Sequence, residues 1–307
     1  MKNIFRNREG ALQLIRIWLI GIAVYVAIDA LLARLYLLAL TSAWDVGFVE
    51  PVRVAFSDLL FRLPISALEI TALAILHRKL LDEPLHLKLR PLLLACGAML
   101  AAITAAVLLL VAAGRLRIVS ALDGWAANYG EFILTTAIYA LITISIALAT
   151  AIFRYCFLCG SALKRLNRWA ALAICFLLFG LRAVLAGSGG VIAKLNDALS
   201  VALYLLALDV GGVGACCGVV LGQCLGLAVL FGSQNSAYVL MRLVPASDVI
   251  APTVHDLLTG GSAGLPDGLW LTGVLVAMIV LTMLCDAGMR AKLRAFLKCA
   301  LDSRMGA

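Results

Sequence analysis

Charged residues are scarce in this chain, since Asp, Glu, Lys and Arg make up 14% of its 307 residues, against about 25% in soluble domains. Hydrophobic residues reach 64%. Several apolar runs attain the roughly 20 residues that a bilayer-spanning helix needs. This composition excludes a soluble globular protein. It predicts an all-α integral membrane protein, a polytopic bundle of about eight transmembrane helices that forms one domain over residues 1–307.

Histidine is rarer still, with three scattered residues, His77, His86 and His255. No HExxH and no paired histidine spacing occurs, so we expect no metal site and no cofactor. The chain also lacks a phosphate-binding Gly-Lys-Ser/Thr loop. The CxxC formed by Cys156 and Cys159 has neither a second CxxC nor a nearby histidine. We therefore expect the cysteines to act as small hydrophobic residues.

The net charge of +8 is unevenly distributed. Basic residues gather in both tails and in the segments 77–90 and 154–168, whereas 41–50 and 247–267 are acidic or neutral. The positive-inside rule places both termini in the cytoplasm, which requires an even number of crossings. The basic residues flank apolar runs, which favours contact with membrane lipid and argues against nucleic acid. The Ala, Leu and Arg richness without eukaryotic targeting signals indicates a bacterial cytoplasmic membrane.

The apolar runs give the approximate positions of the spans. A further apolar piece, 236–246, ends at Pro245 and is expected to be a short or re-entrant helix. The full spans are predicted at 17–40, 57–77, 92–113, 132–153, 169–187, 196–210, 212–231 and 269–287.

Four glycines recur at intervals of four residues in one apolar run: Gly214, Gly218, Gly222 and Gly226. Residues i and i+4 share a helical face, so these glycines form a smooth stripe. Membrane helices associate through close backbone packing at such stripes of small residues. The stripe, a glycine zipper, predicts a neighbouring helix in close contact.

Ionisable residues inside spans are costly and usually face a bundle interior. Six of them are candidates for a polar network: Asp29, Arg34, Asp58, Arg62, Glu69 and Asp209. Asp58, Arg62 and Glu69 share one face of the second span, and the spacing favours an Asp58–Arg62 pair. For Glu69, two interpretations stay open: a structural pair with another helix, or the acid of a polar cavity. Arg182 is expected near the outer end of its span, within reach of the interface.

Part of the second half of the chain follows a known order of motifs. Phe153-Arg154 ends one apolar run, the basic turn 164–168 follows, and the next run ends in Phe179-Gly180-Leu181. A glycine-bearing run then closes with Gly232-Ser233. Over about residues 130–245 this order resembles the CAAX-protease and bacteriocin-processing (CPBP) family of intramembrane proteases. In that family EExxxR ends one span, a basic turn leads to FxxxH, and a glycine-bearing span precedes a last His and Asn.

The catalytic positions of the family carry other residues here. At the positions that the resemblance assigns to the two glutamates, this chain has Ala149 and Thr150. The two histidine positions hold Ala183 and Met241, and the asparagine position holds Pro245. Ala, Thr and Met cannot transfer a proton or hold a metal as the family's residues do. Because general acid–base catalysis contributes about 10²–10⁴-fold, the resemblance implies a catalytically silent relative.

Three functions stay open. The first is a non-catalytic membrane accessory that binds a peptide, a membrane segment or another membrane protein in maturation, export or immunity. The second is an active intramembrane endopeptidase with Glu69 as the water-activating base and Arg154 or Arg182 orienting it. Depth argues against this, since Glu69 lies roughly 12 Å from the cytoplasmic end and Arg154 at that end. The third is a transporter or a subunit of one. A structural role for the charges also stays open.

Overall fold

The computed structural model describes residues 10–41, 50–120, 129–186, 190–232, 239–245, 258–259 and 265–286. Helices make up 87% of it. Five helices are long and apolar enough to cross a membrane, and two shorter apolar helices accompany them. The structure therefore agrees with the predicted class, a helical integral membrane protein.

Helices dominate the order of elements, and two π-helical segments (π1 and π2) and three short strands interrupt them. The elements are α1 (Gly10–Thr41), α2 (Glu50–Leu81), α3 (Leu89–Ala112), β1 (Leu116–Ser120), α4 (Tyr129–Thr150), π1 (Ala151–Cys159), α5 (Gly160–Arg165), α6 (Arg168–Ala186), α7 (Val191–Leu225), π2 (Gly226–Leu230), β2 (Phe231–Gly232), β3 (Met241–Pro245) and α8 (Leu269–Cys285).

The helical stretch that begins with α4 is longer than its apolar run predicted. The span expected at 132–153 continues, and α4, π1 and α5 form one stretch from Tyr129 to Arg165. The span was predicted to end at residue 153 because Arg154 is charged. In the structure all residues of π1 except Arg154 are buried, so the helix continues through the core. Single π-helical turns inside α-helices occur frequently at functional sites.

The chain reverses direction inside α7. Gly212 has φ 74° and ψ −167°, a backbone conformation that is essentially restricted to glycine. Gln223 Nε2 lies 2.8 Å from Ser200 Oγ although the two residues are 23 positions apart; a straight helix would separate them by about 35 Å. α7 is therefore a hairpin of two antiparallel halves, in line with the separate spans at 196–210 and 212–231.

The glycine stripe lies on the second half of α7 and contacts α3. A methyl group added at each of the first three glycines would come too close to a backbone carbonyl oxygen at the start of α3. The distances are 2.6 Å from Gly214 to Lys88, 2.3 Å from Gly218 to Leu92, and 2.7 Å from Gly222 to Cys96. At Gly226 the nearest atom is Cδ1 of Ile103, at 2.7 Å. Backbone approach of this kind requires residues without a side chain.

A small sheet lies at the end of the bundle where α3 finishes. β1 pairs antiparallel with β3, with Leu116 opposite Pro245, and β2 pairs parallel with β3. The expectation of a short or re-entrant helix over 236–246 is therefore wrong for the described part of that segment. The β-branched Val244 and Ile118 favour strands, and a proline at the end of the segment opposes helix continuation.

Ion pairs join the helix ends at the opposite end of the bundle. Arg168, the first residue of α6, donates to Asp209 at 2.7 Å and to Asp286 at 2.5 Å. Lys164 of α5 pairs with Glu83, just after α2, and this hydrogen bond lowers the pKa of the Glu83 carboxyl. These contacts bring the ends of α2, α5 and α8 and the turn of α7 to one level.

Candidate functional site

A polar cavity of about 380 Å³ lies where π1, α6 and both halves of α7 meet. Aromatic, hydroxyl, amide and charged side chains line it: Arg154, Tyr155, Phe179, Arg182, Ala183, Asp197, Ser200, Val201, Tyr204 and Gln223. Its size falls within the roughly 300–1,000 Å³ of small-molecule sites. Polar side chains inside membrane proteins commonly face such cavities and mark functional sites, so this cavity is the candidate site.

Hydrogen bonds between the two halves of α7 fix one wall of the polar cavity. Tyr204 Oη donates to Gln223 Oε1 at 2.8 Å, and Gln223 Nε2 donates to Ser200 Oγ at 2.8 Å. Ser200 Oγ donates in turn to the backbone carbonyl of Asn196, also at 2.8 Å. Linked hydrogen bonds strengthen one another in a low dielectric, so this chain of bonds holds the hairpin closed.

Polar residues from different helices lie at one depth. Arg154 is eleven residues before the end of α5, Gln223 is eleven residues after Gly212, and Glu69 is twelve residues before the end of α2. At about 1.5 Å per residue, each lies about 17 Å from that end, near the middle of a bilayer core of about 30 Å. The depth argument from the sequence, which placed Arg154 at the cytoplasmic end, is wrong because the helix continues to Arg165.

A second, more apolar cavity of about 520 Å³ adjoins the polar cavity. Both cavities are lined by Arg154, Phe179 and Arg182, and the rest of the apolar cavity is formed by Trp18, Ile22, Tyr25, Val26, Phe153, Leu158 and Leu178. Arg154 is half-buried and Arg182 is exposed. Among the described residues, neither guanidinium group lies within 4.0 Å of a carboxylate. Two positive charges therefore lie at the junction of polar and apolar space.

Glu69 lines a separate cavity of about 80 Å³ between α2 and α4. The residue is 7% exposed. Arg62 lines the same cavity from α2, and Ala149 and Thr150 line it from α4. Glu69 therefore faces the two positions at which the family resemblance places the motif glutamates.

A stacked aromatic pair lines the apolar cavity and reaches the Glu69 cavity through Tyr25. Tyr25 lines both the apolar cavity and the Glu69 cavity, whereas Phe153 lines the apolar cavity. The two rings stack with centroids 4.0 Å apart and planes 3° from parallel. Glu69 and Arg154 share a depth but line different cavities, and Tyr25 lines both of these cavities.

Of the other members of the predicted polar network whose side chains the structure describes, Arg62 lies beside Glu69, whereas Asp209 lies at the helix ends. Asp209 pairs with Arg168 at the helix ends. Asp58 and Arg62 do not pair with each other among the described ion pairs, and Arg62 instead lines the Glu69 cavity. Two members have side chains outside the described part of the structure, namely Asp29 and Arg34.

The cysteines pack between helices. Cys156 and Cys159 of π1 are buried, and Cys156 Sγ lies 3.9 Å from Cys217 Sγ on the second half of α7. Within the described residues, no group of three or more His, Cys, Asp or Glu side chains has a geometry that could hold a metal ion.

Sequence reasoning missed the neutral wall of the polar cavity. Ser200 and Tyr204 of this wall, with Asn196 one turn before them, recur every four residues and therefore share one face of the first half of α7. That polar stripe was the available signal. Their partner Gln223 belongs to the other half of the hairpin, and no local spacing indicates such a contact.

Comparisons with protein-family models, with curated proteins and with solved structures give no match to this chain. The likeness to the CPBP family therefore rests on the motif residues of the sequence itself.

Proposed function

We propose that this protein is a CPBP-like membrane accessory without catalytic activity, which binds a peptide or membrane segment in its polar cavity. One observation carries the proposal. Three motif positions line the same cavity from two separate helices, namely Arg154, Phe179 and Ala183. Arg154 is matched to the arginine of one family motif, and Phe179 and Ala183 are matched to the two ends of the other. Chance likeness of apolar sequence gives no reason for three motif positions to line one cavity.

The chemistry of the cavity favours binding over hydrolysis. The histidine position of the FxxxH motif is Ala183, which can neither donate nor accept a proton. Asp197 is the carboxylate of the described cavity wall, and it is exposed. The side chains of Tyr204 and Ser200 are both hydrogen-bonded to Gln223. Among the residues described around this cavity, water activation thus lacks a buried carboxylate or imidazole to act as the base.

Photocrosslinking from inside the cavity tests the proposal. Ala183 would be replaced with benzoylphenylalanine, and Leu177, on the same helix and 60% exposed, would carry the same group as the matched control. We expect a crosslinked polypeptide from position 183 that position 177 does not give. Equal crosslinking at both positions, or none from 183 in protein that remains folded, would contradict the proposal.

A second candidate is an intramembrane peptidase that uses Glu69. Its buried carboxylate faces Ala149 and Thr150 at mid-depth, and burial of a carboxylate is one way to make it an effective base. The test compares new N-termini across the membrane proteome in cells with the unmodified protein, Glu69→Gln, and the matched control Glu131→Gln. Products that disappear with Glu69→Gln alone support the peptidase. Identical profiles in all three would exclude it.

A transporter receives less support from the fold. The reversal at Gly212 lies at the helix ends, since the neighbouring Gly214 contacts the carbonyl of Lys88 just before α3 begins. The broken helices of transporters place such an interruption at the bilayer midplane. Uptake that depends on Glu69 would restore this alternative.

We also propose eight crossings of a bacterial cytoplasmic membrane, with both termini in the cytoplasm. The count takes α1, α2, α3, the α4–α5 stretch, α6, the two halves of α7, and α8 as one crossing each. A green fluorescent protein fused to the C-terminus should fluoresce, and alkaline phosphatase at the same site should be inactive. The reverse pattern would contradict this topology.

A further inference from the structure

The junction of the two larger cavities combines charge with apolar surface. Arg154 and Arg182 line both cavities, and neither is neutralised by a described carboxylate. Charges inside a membrane protein are costly unless they are paired or hydrated. We infer that the cavities bind a long-chain carboxylate, with its head group between the two guanidinium groups and its alkyl chain in the apolar cavity.

The apolar cavity opens sideways towards the bilayer. α1 and α6 both contact π1 and form the two sides of the cavity. Side chains at its rim are exposed: Ile22 at 43%, Val26 at 56% and Leu178 at 46%. A single-chain lipid can therefore reach the cavity from within the membrane, without crossing an aqueous phase.

The charges of the site favour a monocarboxylate over a phosphate monoester. Arg154, Arg182 and Asp197 together leave one net positive charge on the polar cavity, which one carboxylate balances and a doubly charged phosphate exceeds. The planar guanidinium group also matches a carboxylate through two parallel hydrogen bonds. Tyr204 and Gln223 compete little with the arginines for the carboxylate, because these two side chains are hydrogen-bonded to each other.

The test uses the purified full chain in phosphatidylcholine nanodiscs and palmitate with a photoreactive diazirine in its chain. We expect labelling to map to α1 and α6 beside the apolar cavity. Unlabelled palmitate should displace the probe at a concentration at least about tenfold lower than methyl palmitate does, because the ester lacks the negative charge that binds the arginines. A tenfold difference in affinity corresponds to about 1.4 kcal/mol of binding free energy.

Variants separate the head group from the chain. Arg154→Gln and Arg182→Gln should each weaken displacement by palmitate about tenfold, whereas Arg154→Lys should retain part of it. Ile22→Trp should reduce labelling by filling the apolar cavity. Arg78→Gln, an exposed arginine at the end of α2, is the matched control and should change nothing. If Arg154→Gln does not fold, Arg154→Lys and the exposed Arg182→Gln decide the question.

Equal displacement by palmitate and its methyl ester would overturn the inference, as would unchanged binding in Arg182→Gln. Stronger displacement by lysophosphatidic acid than by palmitate would overturn the assignment of a carboxylate. The inference does not depend on a peptide partner. A protein that binds palmitate but gives no polypeptide crosslink from position 183 would support it and contradict the proposed function alone.

Discussion

Replacing Gly218 with alanine is expected to push α3 away from the second half of α7. The added methyl carbon would lie 2.3 Å from the carbonyl oxygen of Leu92, whereas ordinary contact begins at 3.4 Å. One of the two helices must therefore shift by about 1.1 Å. Overpacking in a close-packed core costs about 1–3 kcal/mol, and we expect a loss in the upper part of that range because backbone cannot rotate aside.

The matched control is Gly97→Ala, the same change on α3 at a position where nothing lies within 4 Å. Exposed substitutions typically change stability by no more than about 0.5 kcal/mol. Gly226→Ala should fall between the two, because its nearest contact is the flexible end of Ile103. The expected order of destabilisation is therefore Gly218, then Gly226, then Gly97.

The assay is reversible unfolding of the purified protein in mixed micelles of rising dodecyl sulfate content, followed by tryptophan fluorescence. Equal midpoints for Gly218→Ala and Gly97→Ala would refute the packing of α7 on α3. A larger loss for Gly226→Ala than for Gly218→Ala would refute the distinction between backbone and side-chain contacts.

Three further predictions use the same unfolding assay. Asp267→Ala should cost about 1 kcal/mol, because Asp267 accepts hydrogen bonds from backbone N–H groups at the start of α7; an equal loss for Asp197→Ala would contradict this. Gln223→Leu should cost about 1–3 kcal/mol by leaving buried hydroxyl groups of the other half of α7 without their partner, and an unchanged midpoint would remove the hairpin bonds from consideration. Gly212→Ala should cost about 1–3 kcal/mol through its backbone conformation, whereas Gly273→Ala, with nothing within 4 Å, should be neutral; equal effects would show that position 212 has ordinary helical geometry.

The sequence predicted the elements whose cause is local. Apolar runs of sufficient length predict spanning helices, because the bilayer leaves few other ways to satisfy the backbone. The glycine spacing predicts a packing face, because residues four positions apart lie on the same side of a helix. Neither pattern identifies the neighbouring helix. Only the structure shows that the glycine stripe packs against α3.

Features with long-range causes could not be predicted from local patterns. Arg154 resembled the end of a span because a charge inside lipid is costly, but its surroundings are protein and cavity, which only the packing of α6 and α7 provides. β3 owes its conformation to pairing with β1, more than 120 positions earlier. The position of Glu69 opposite Ala149 and Thr150 likewise depends on the contact between α2 and α4.

The hairpin in α7 also bears on the biosynthesis of the protein. A single glycine joins its halves, so no loop is available to let the first half settle across the membrane before the second follows. Ser200, Tyr204 and Gln223 find their hydrogen-bond partners across that turn, and each half alone would expose unsatisfied polar groups to lipid. The two halves are therefore expected to leave the insertion machinery together, as one preassembled unit.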